Sequence, residues 1–247
     1  MLNKTLIAVI GPDRNTHLVI NKLKAQFVDD RFEIVWFTWN NEVNNKVTTK
    51  KISLNKPVKN LKGNGFICHS SKENIYLMFY SLCAVGHHAE NYSRVIRLRS
   101  DTILSERAVT LLMQDTNVLS KSVQLPKAWY CDHLFSLEAN QYRDMFNSII
   151  RLEKVLKWTK YNPEMTLSVL LNKVNSKSIL FRYCDFSLCE SGVRDSDPEG
   201  YKSINRSIGL DDFIPACDLE FKKGLKAKFY NLIYNIFFMA ANRCIIL

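Results

Sequence analysis

The chain has 247 residues, 47% of them hydrophobic and 23% charged, enough apolar content for one substantial core, which excludes disorder as the default state. No stretch has the length and apolarity of a spanning helix, and the absence of a GxxxxGK[ST] phosphate loop and of a GxGxxG turn argues against NTPases and dinucleotide oxidoreductases. A net charge of +10 asks for an anionic partner: nucleic acid, a phosphorylated donor or an acidic membrane surface.

Residues 6–10 form a continuous run of branched apolar side chains closed by Gly11 and Pro12, which predicts a first buried strand. A secretory segment would need a small-residue cleavage site after it. Asn15 or Thr16 is placed to cap an amphipathic helix through Phe27, with Leu18, Val19, Leu23 and Phe27 on its buried side. Residues 32–37 read as a second strand ending at Thr38 and Trp39. This β-α-β opening predicts a parallel sheet whose ligand sits outside the carboxyl ends of the strands.

Residues 40–65 read mostly as loop, with a short strand candidate at 51–54. Ser70 and Glu73 have capping-box spacing ahead of an apolar helical face, and Gly86 is expected to stop that helix. Residues 94–98 alternate as a strand and run directly into Arg99, Ser100 and Asp101. Ser105 is expected to cap a helix through Met113, residues 128–134 read as a strand carrying Asp132 and His133, and residues 140–156 as one helix. Pro163 suits a first helical position, with Glu164 in the first turn, for a helix to Val174. A later strand is expected over 179–189.

Residues 191–220 are polar and rich in turn formers, which predicts an irregular surface segment. Residues 221–247 begin with Lys222, Lys223, Lys226 and Lys228 and continue as an amphipathic helix, to lie in an anionic membrane interface or dock on a protein surface. The expected organisation is therefore a catalytic domain over 1–190, the irregular segment, and the basic helix. Seven cysteines at irregular spacing, without a CxxC pair, read as reduced thiols of a cytoplasmic protein, and no zinc cluster is expected.

Arg97, Arg99 and Asp101 are the sharpest candidates for chemistry. Transfer of a sugar from a nucleoside diphosphate needs positive charge on the leaving phosphates, supplied by a divalent ion or by fixed cations. A strand-end carboxylate can ligate a hard cation, and arginines can bind phosphate through two parallel hydrogen bonds. The same residue types also occur in ordinary loops.

The run from Asn91 to Asp101 resembles the arginine-serine/threonine-aspartate signature of the WavE lipopolysaccharide synthesis family. The likeness extends to Ile10, Gly11 and Pro12, to residues 34–39 ending in Thr38 and Trp39, to the helix over 74–86, to Asp132, His133, Leu134 and Phe135, and to Pro163 and Glu164. It covers roughly residues 6–175. Ser136 and Leu137 stand where that family's pattern has a glycine.

This resemblance implies a GT-A-like, Rossmann-type α/β fold, with a mostly parallel sheet flanked by helices. It also implies a glycosyltransferase of lipopolysaccharide or capsule assembly that takes a nucleotide-sugar donor and a glycan or lipid-linked acceptor, at the inner membrane face. Asp101 would hold a divalent cation, Mn²⁺ or Mg²⁺, although Arg97 and Arg99 leave a metal-independent variant open. Gly11, Pro12, Asp13, Trp39, Arg97, Arg99 and Ser100 are the donor-side candidates; Asp132, with Glu164 and His133 behind it, is the candidate base. The alternatives are a noncatalytic member of an assembly complex and a basic nucleic-acid-binding protein. The dispersed lysines and the lack of any known nucleic-acid-binding pattern argue against the last.

Overall fold

The computed structural model describes residues 4–13, 16–40, 48–66, 68, 70–102, 104, 106–122, 130–172, 174–181 and 214–215. Three consecutive parallel pairings build its centre. β1 (Thr5–Ile10) lies between β2 (Phe32–Trp39) and β4 (Arg94–Arg99), and β3 (Lys50–Leu54) adds to the outer side of β2. Beyond β4 the direction reverses: β6 (Leu134–Glu138) runs antiparallel to both β4 and β5 (Val118–Ser122). β7 (Lys177–Phe181) pairs in parallel with β5, and β8 (Ile214–Pro215) closes the order β3-β2-β1-β4-β6-β5-β7-β8. The expected mostly parallel sheet flanked by helices is the architecture observed.

Alternation along β1 divides the core in two. Leu6, Ala8 and Ile10 face α2 (Lys72–His88), α4 (Ala139–Phe146), α5 (Ile149–Trp158) and α6 (Pro163–Leu171), while Ile7 and Val9 face α1 (Thr16–Gln26) and α3 (Glu106–Leu112). Both faces of β1 are covered, which is why its sequence is a continuous apolar run without polar alternation.

Several expectations change at element boundaries. The hydroxyl of Ser71, one residue beyond Ser70, accepts the Asn74 N–H at 3.1 Å and caps α2. Gly86 lies inside α2, because a Cβ there would meet the Phe146 carbonyl at 3.1 Å; the glycine admits α4 and does not end the helix. The single helix expected over 140–156 is two, with Ser148 accepting the Arg151 N–H at the start of α5. The strand expected over 128–134 begins only at Leu134: residues 128 and 129 lie outside the described residues, and Asp132 and His133 occupy the bend before β6. β5 was not expected. It is short, and the polar Ser120 and Lys121 break its apolar run.

Pro163 occupies the first turn of α6 as its fixed φ predicts, behind an Asn162 cap that accepts the Met165 N–H at 2.8 Å and donates to the Phe66 carbonyl at 2.8 Å. Helix α6 ends at Leu171, three residues before the expected Val174. Ser105 lies outside the described residues, as do the region 182–213 and the basic helix of 221–247 with Lys222, Lys223, Lys226 and Lys228. No helix among the described residues is long and apolar enough to cross a membrane.

Asn162 is buried and joins α6 to the loop at Phe66. Asn162→Ala should lower unfolding stability by about 1–3 kcal/mol, since a helix cap and the partner of the part-buried Phe66 carbonyl are lost together. Urea denaturation followed by circular dichroism checks this; a change below about 0.5 kcal/mol would contradict the assignment.

Candidate active site

The chain leaves β1 for β2 on one side and later returns for β4 on the other, so the order of the strands reverses between β1 and β4. A crevice at such a reversal of strand order is the expected ligand position in an open α/β sheet. A cleft of about 220 Å³ lies there, lined by Gly11 and Pro12 after β1, Trp39 at the end of β2, and Arg97, Arg99, Ser100 and Asp101 from β4. Asp132 and Pro163 close it on the side of β6 and α6, and Ser70, Asn74 and Ser81 line it from the start and body of α2.

Close approach of β1 and β4 fixes the first wall. Ser100 donates its N–H to the Ile10 carbonyl at 2.9 Å and its hydroxyl to the Pro12 carbonyl at 2.7 Å. Gly11 takes φ +134°, and a Cβ there would lie 2.6 Å from the Ser100 hydroxyl oxygen. Only glycine satisfies both the backbone conformation and the gap. Asp13 turns instead to the start of α1, where its carboxylate accepts the Thr16 N–H at 3.0 Å, and it does not line the cleft.

The second wall is organised by Arg99. Its Nε and Nη2 donate to the two oxygens of Asp101 at 3.0 and 2.8 Å, a bidentate pair in which the Asp101 side chain is 1% exposed and that of Arg99 25%. Nη1 meets His133 Nε2 at 3.2 Å and lies 3.9 Å from Asp132. Since a guanidinium can only donate, His133 Nε2 must accept, which places the histidine proton on Nδ1. Burial, reinforced by the Arg99 charge, pushes the His133 pKa down to about 3. His133 is therefore neutral, and its 3.9 Å approach to Asp132 is not an ion pair.

Burial works against the charge on Asp132, but Arg99 and Arg97 outweigh it and hold its pKa below the usual carboxylate value. Burial likewise opposes the Arg99 charge, and Asp101 and Asp132 overcome it, so Arg99 stays protonated. The antiparallel β6 makes this grouping: Leu134 pairs with Leu98, and Arg99 donates its N–H to the His133 carbonyl at 3.1 Å. The bend before β6 thus arrives where β4 ends.

Arg97 differs from every other charged group in the cleft. It projects from β4 toward α2 and α4, is 1% exposed, and lies 5.9 Å from the centre of the Phe135 ring. Its strand neighbours are Ala8 and Phe135, and the small Ala8 leaves the room it fills. Its Nε and Nη1 have no hydrogen-bond partner among the described residues. Arg94, on the opposite face, has its Nη1 on the Thr116 carbonyl at 2.9 Å, with Asn117 and Ser136 at 3.4 Å.

A divalent ion on Asp101 does not fit this arrangement. Both carboxylate oxygens are already engaged by Arg99, and Arg97 and Arg99 balance the two carboxylates of this wall, which leaves no net negative charge to hold a cation. Cys131, Asp132 and His133 bring their ligand atoms within 4.8 Å of one another, a grouping that the residue spacing did not lead us to expect. Arg99 occupies His133 Nε2 and flanks Asp132, and burial raises the Cys131 thiol well above its ordinary value, so this trio also suits a cation poorly. Cys68, Cys83 and Cys131 are free thiols.

The structure thus gathers Gly11, Pro12, Trp39, Arg97, Arg99, Ser100, Asp101 and Asp132 around one cleft and leaves Asp13 and Glu164 outside its lining, with His133 behind Arg99. Sequence reasoning missed Ser70, Asn74 and Ser81. The capping pattern before α2 located the helix start, but nothing in the sequence aimed that helix at the ends of β1 and β4.

No protein-family model matches the chain, the WavE family included, and no curated protein matches it. Among solved structures it is similar to the galactosyltransferase LgtC in complex with donor and acceptor sugar analogues, at 12% identity and a TM-score of 0.44, covering 66% of this chain and 69% of that one. It is also similar to an active-site mutant of LgtC, at 10% identity and a TM-score of 0.48, covering 81% and 82%.

Gly11→Ala should destabilise the fold by about 1–3 kcal/mol in a denaturation curve, and adding Ser100→Ala should recover part of this by removing the clash while the φ strain remains. Full recovery would contradict the strain. His133 gives an acid dependence with a definite sign. Its folded pKa lies below the ordinary 6.5, so its contribution to stability is complete above pH 6.5 and is lost as pH falls toward 3. Between pH 7.5 and 5 the wild type should lose about 2 kcal/mol more than His133→Gln, from 1.5 pH units below 6.5 at about 1.4 kcal/mol each. Equal losses in urea midpoints would contradict a buried neutral imidazole.

Proposed function

We propose that this chain is a glycosyltransferase that moves a sugar from a nucleotide-sugar donor to a growing cell-surface glycan of the lipopolysaccharide or capsule type. One observation carries the reading: the cleft at the reversal of strand order combines a glycine turn, two arginines and two carboxylates on a single set of strand ends. The WavE resemblance supports it, since each of its six stretches of sequence contributes at least one residue to the lining of that cleft.

In this reading the donor lies across the ends of β1 and β4. The Gly11–Pro12 turn, without a side chain at Gly11, lets the nucleotide approach the backbone, and Trp39 offers a flat apolar wall for the base or sugar ring. Positive charge on the arginine wall stabilises the departing diphosphate as the anomeric carbon becomes electron-poor. Asp132 faces the acceptor: ionised at neutral pH, it orients the attacking hydroxyl and takes its proton as the new glycosidic bond forms. His133 and Asp101 position Arg99. Glu164, in the first turn of α6, favours that helix terminus and stands behind the acceptor side. The basic helix of 221–247 would hold the enzyme near a lipid-linked acceptor at an anionic membrane face.

A panel of UDP-, GDP-, CMP- and ADP-linked sugars, examined by saturation-transfer NMR, tests the reading. One donor should show transfer to the wild type and none to Asp101→Ala, in which Arg99 loses the bidentate partner that orients it on the cleft wall. Absence of any donor signal from the wild type, with and without Mn²⁺ or Mg²⁺, would overturn it in favour of a noncatalytic assembly protein.

A further inference from the structure

A buried guanidinium with two unpartnered nitrogens is costly. Removing a charged group from water costs several kcal/mol even after the protein relaxes, and an unsatisfied buried donor adds to this. Arg97 carries that cost in the middle of an otherwise apolar face, among Ala8, Phe135 and Tyr142. Burial lowers its pKa, and Asp132 is the main carboxylate acting against that effect. The contrast with Arg94, whose Nη1 is anchored to Thr116, indicates that Arg97 is not held for the sake of the fold.

Arg99 and Asp101 neutralise one another in their bidentate pair, and His133 carries no charge. What remains on this wall is the Arg97 cation together with the ionised Asp132, and Arg97 is the one of the two whose Nε and Nη1 have no protein partner among the described residues. The start of α2, which brings Ser70 and Asn74 to the opposite wall, adds the positive end of a 17-residue helix.

We propose that Arg97 is a metal-independent oxyanion site, whose guanidinium lines the cleft, lacks protein partners for two of its nitrogens among the described residues, and binds a phosphate of the nucleoside diphosphate. The Arg99–Asp101 pair fills the position where a divalent ion would otherwise bind. The inference rests on the nucleotide-sugar reading for the identity of its ligand. Two charge-assisted hydrogen bonds from a fixed fork in a site sheltered from water supply the attraction that a metal ion supplies elsewhere. The arrangement also predicts a trade of stability against binding. Arg97→Met fills similar volume without a charge, so it should unfold at higher urea concentration than the wild type while losing the anion.

The test uses the full chain, with inorganic pyrophosphate and UDP as probes, in EDTA and in Mg²⁺ or Mn²⁺, read by thermal shift and isothermal calorimetry. Both probes should stabilise the wild type in EDTA, and Arg97→Met should weaken them by about 10- to 100-fold, as expected for lost hydrogen bonds to a charged group. Arg97→Gln serves in the same way if the methionine variant does not fold. Binding that requires the metal, equal binding by the variant, or no binding of either probe under any condition would each overturn the proposal. The two readings separate cleanly. Pyrophosphate bound at Arg97 without any nucleotide sugar bound would leave the oxyanion site and remove the transferase reading; a nucleotide sugar bound only with metal would do the reverse.

Discussion

Arg99 holds together parts of the chain that nothing else would bring into register. Its fork spans both oxygens of Asp101, its third nitrogen meets His133, and Asp132 lies 3.9 Å away. Those partners come from the end of β4 and from the bend before β6, over thirty residues apart in sequence. An isolated charge at this depth would be expelled or neutralised, so the pair is tolerated only with complete geometry. The orientation of every charged group on this wall except Arg97 follows from it, as does the histidine tautomer.

The reversal of strand direction at β6 makes that arrangement possible. Were β6 parallel to β4, its first residues would lie at the amino end of the sheet, and Asp132 would be a strand length from Arg99. Antiparallel pairing sets the start of β6 beside the end of β4 and brings Asp132 to the cleft and His133 behind Arg99. The apolar layers on either side of β1 provide the rigidity: Phe135, Tyr142 and Phe146 stack beneath the same wall, with ring centroids 4.8 to 5.9 Å apart. Charged groups held above such a packed layer cannot relax by moving aside, which is the condition for electrostatic preorganisation.

Much of the scaffold was legible in the residues. The apolar run before Gly11, the periodic face of α2, and Pro163 behind an asparagine cap each express a local rule, and each element formed where that rule placed it. Boundaries failed where a tertiary contact overrode the local signal. Gly86 reads as a helix stop until Phe146 packs against it, and residues 140–156 read as one helix until Ser148 caps a second. The strand expected over 128–134 began late for a related reason: Cys131 is buried, but pairing with β4 begins only at Leu134.

The sequence by itself determined the α/β order of the central strands, the glycine turn after β1, and the presence of Arg99, Ser100 and Asp101 at a strand end, because these depend on side-chain periodicity and backbone preference within a few residues. It also put Arg97 among the candidates. Tertiary structure alone decided that Asp101 is locked by Arg99, that His133 is neutral and only accepts from it, that Asp132 faces the cleft while Glu164 does not line it, and that Arg97 is buried with Nε and Nη1 unpartnered among the described residues. Those outcomes depend on distances between residues far apart in the chain and on how much water each group loses. Burial and strand pairing set both quantities, and neither is written in local sequence.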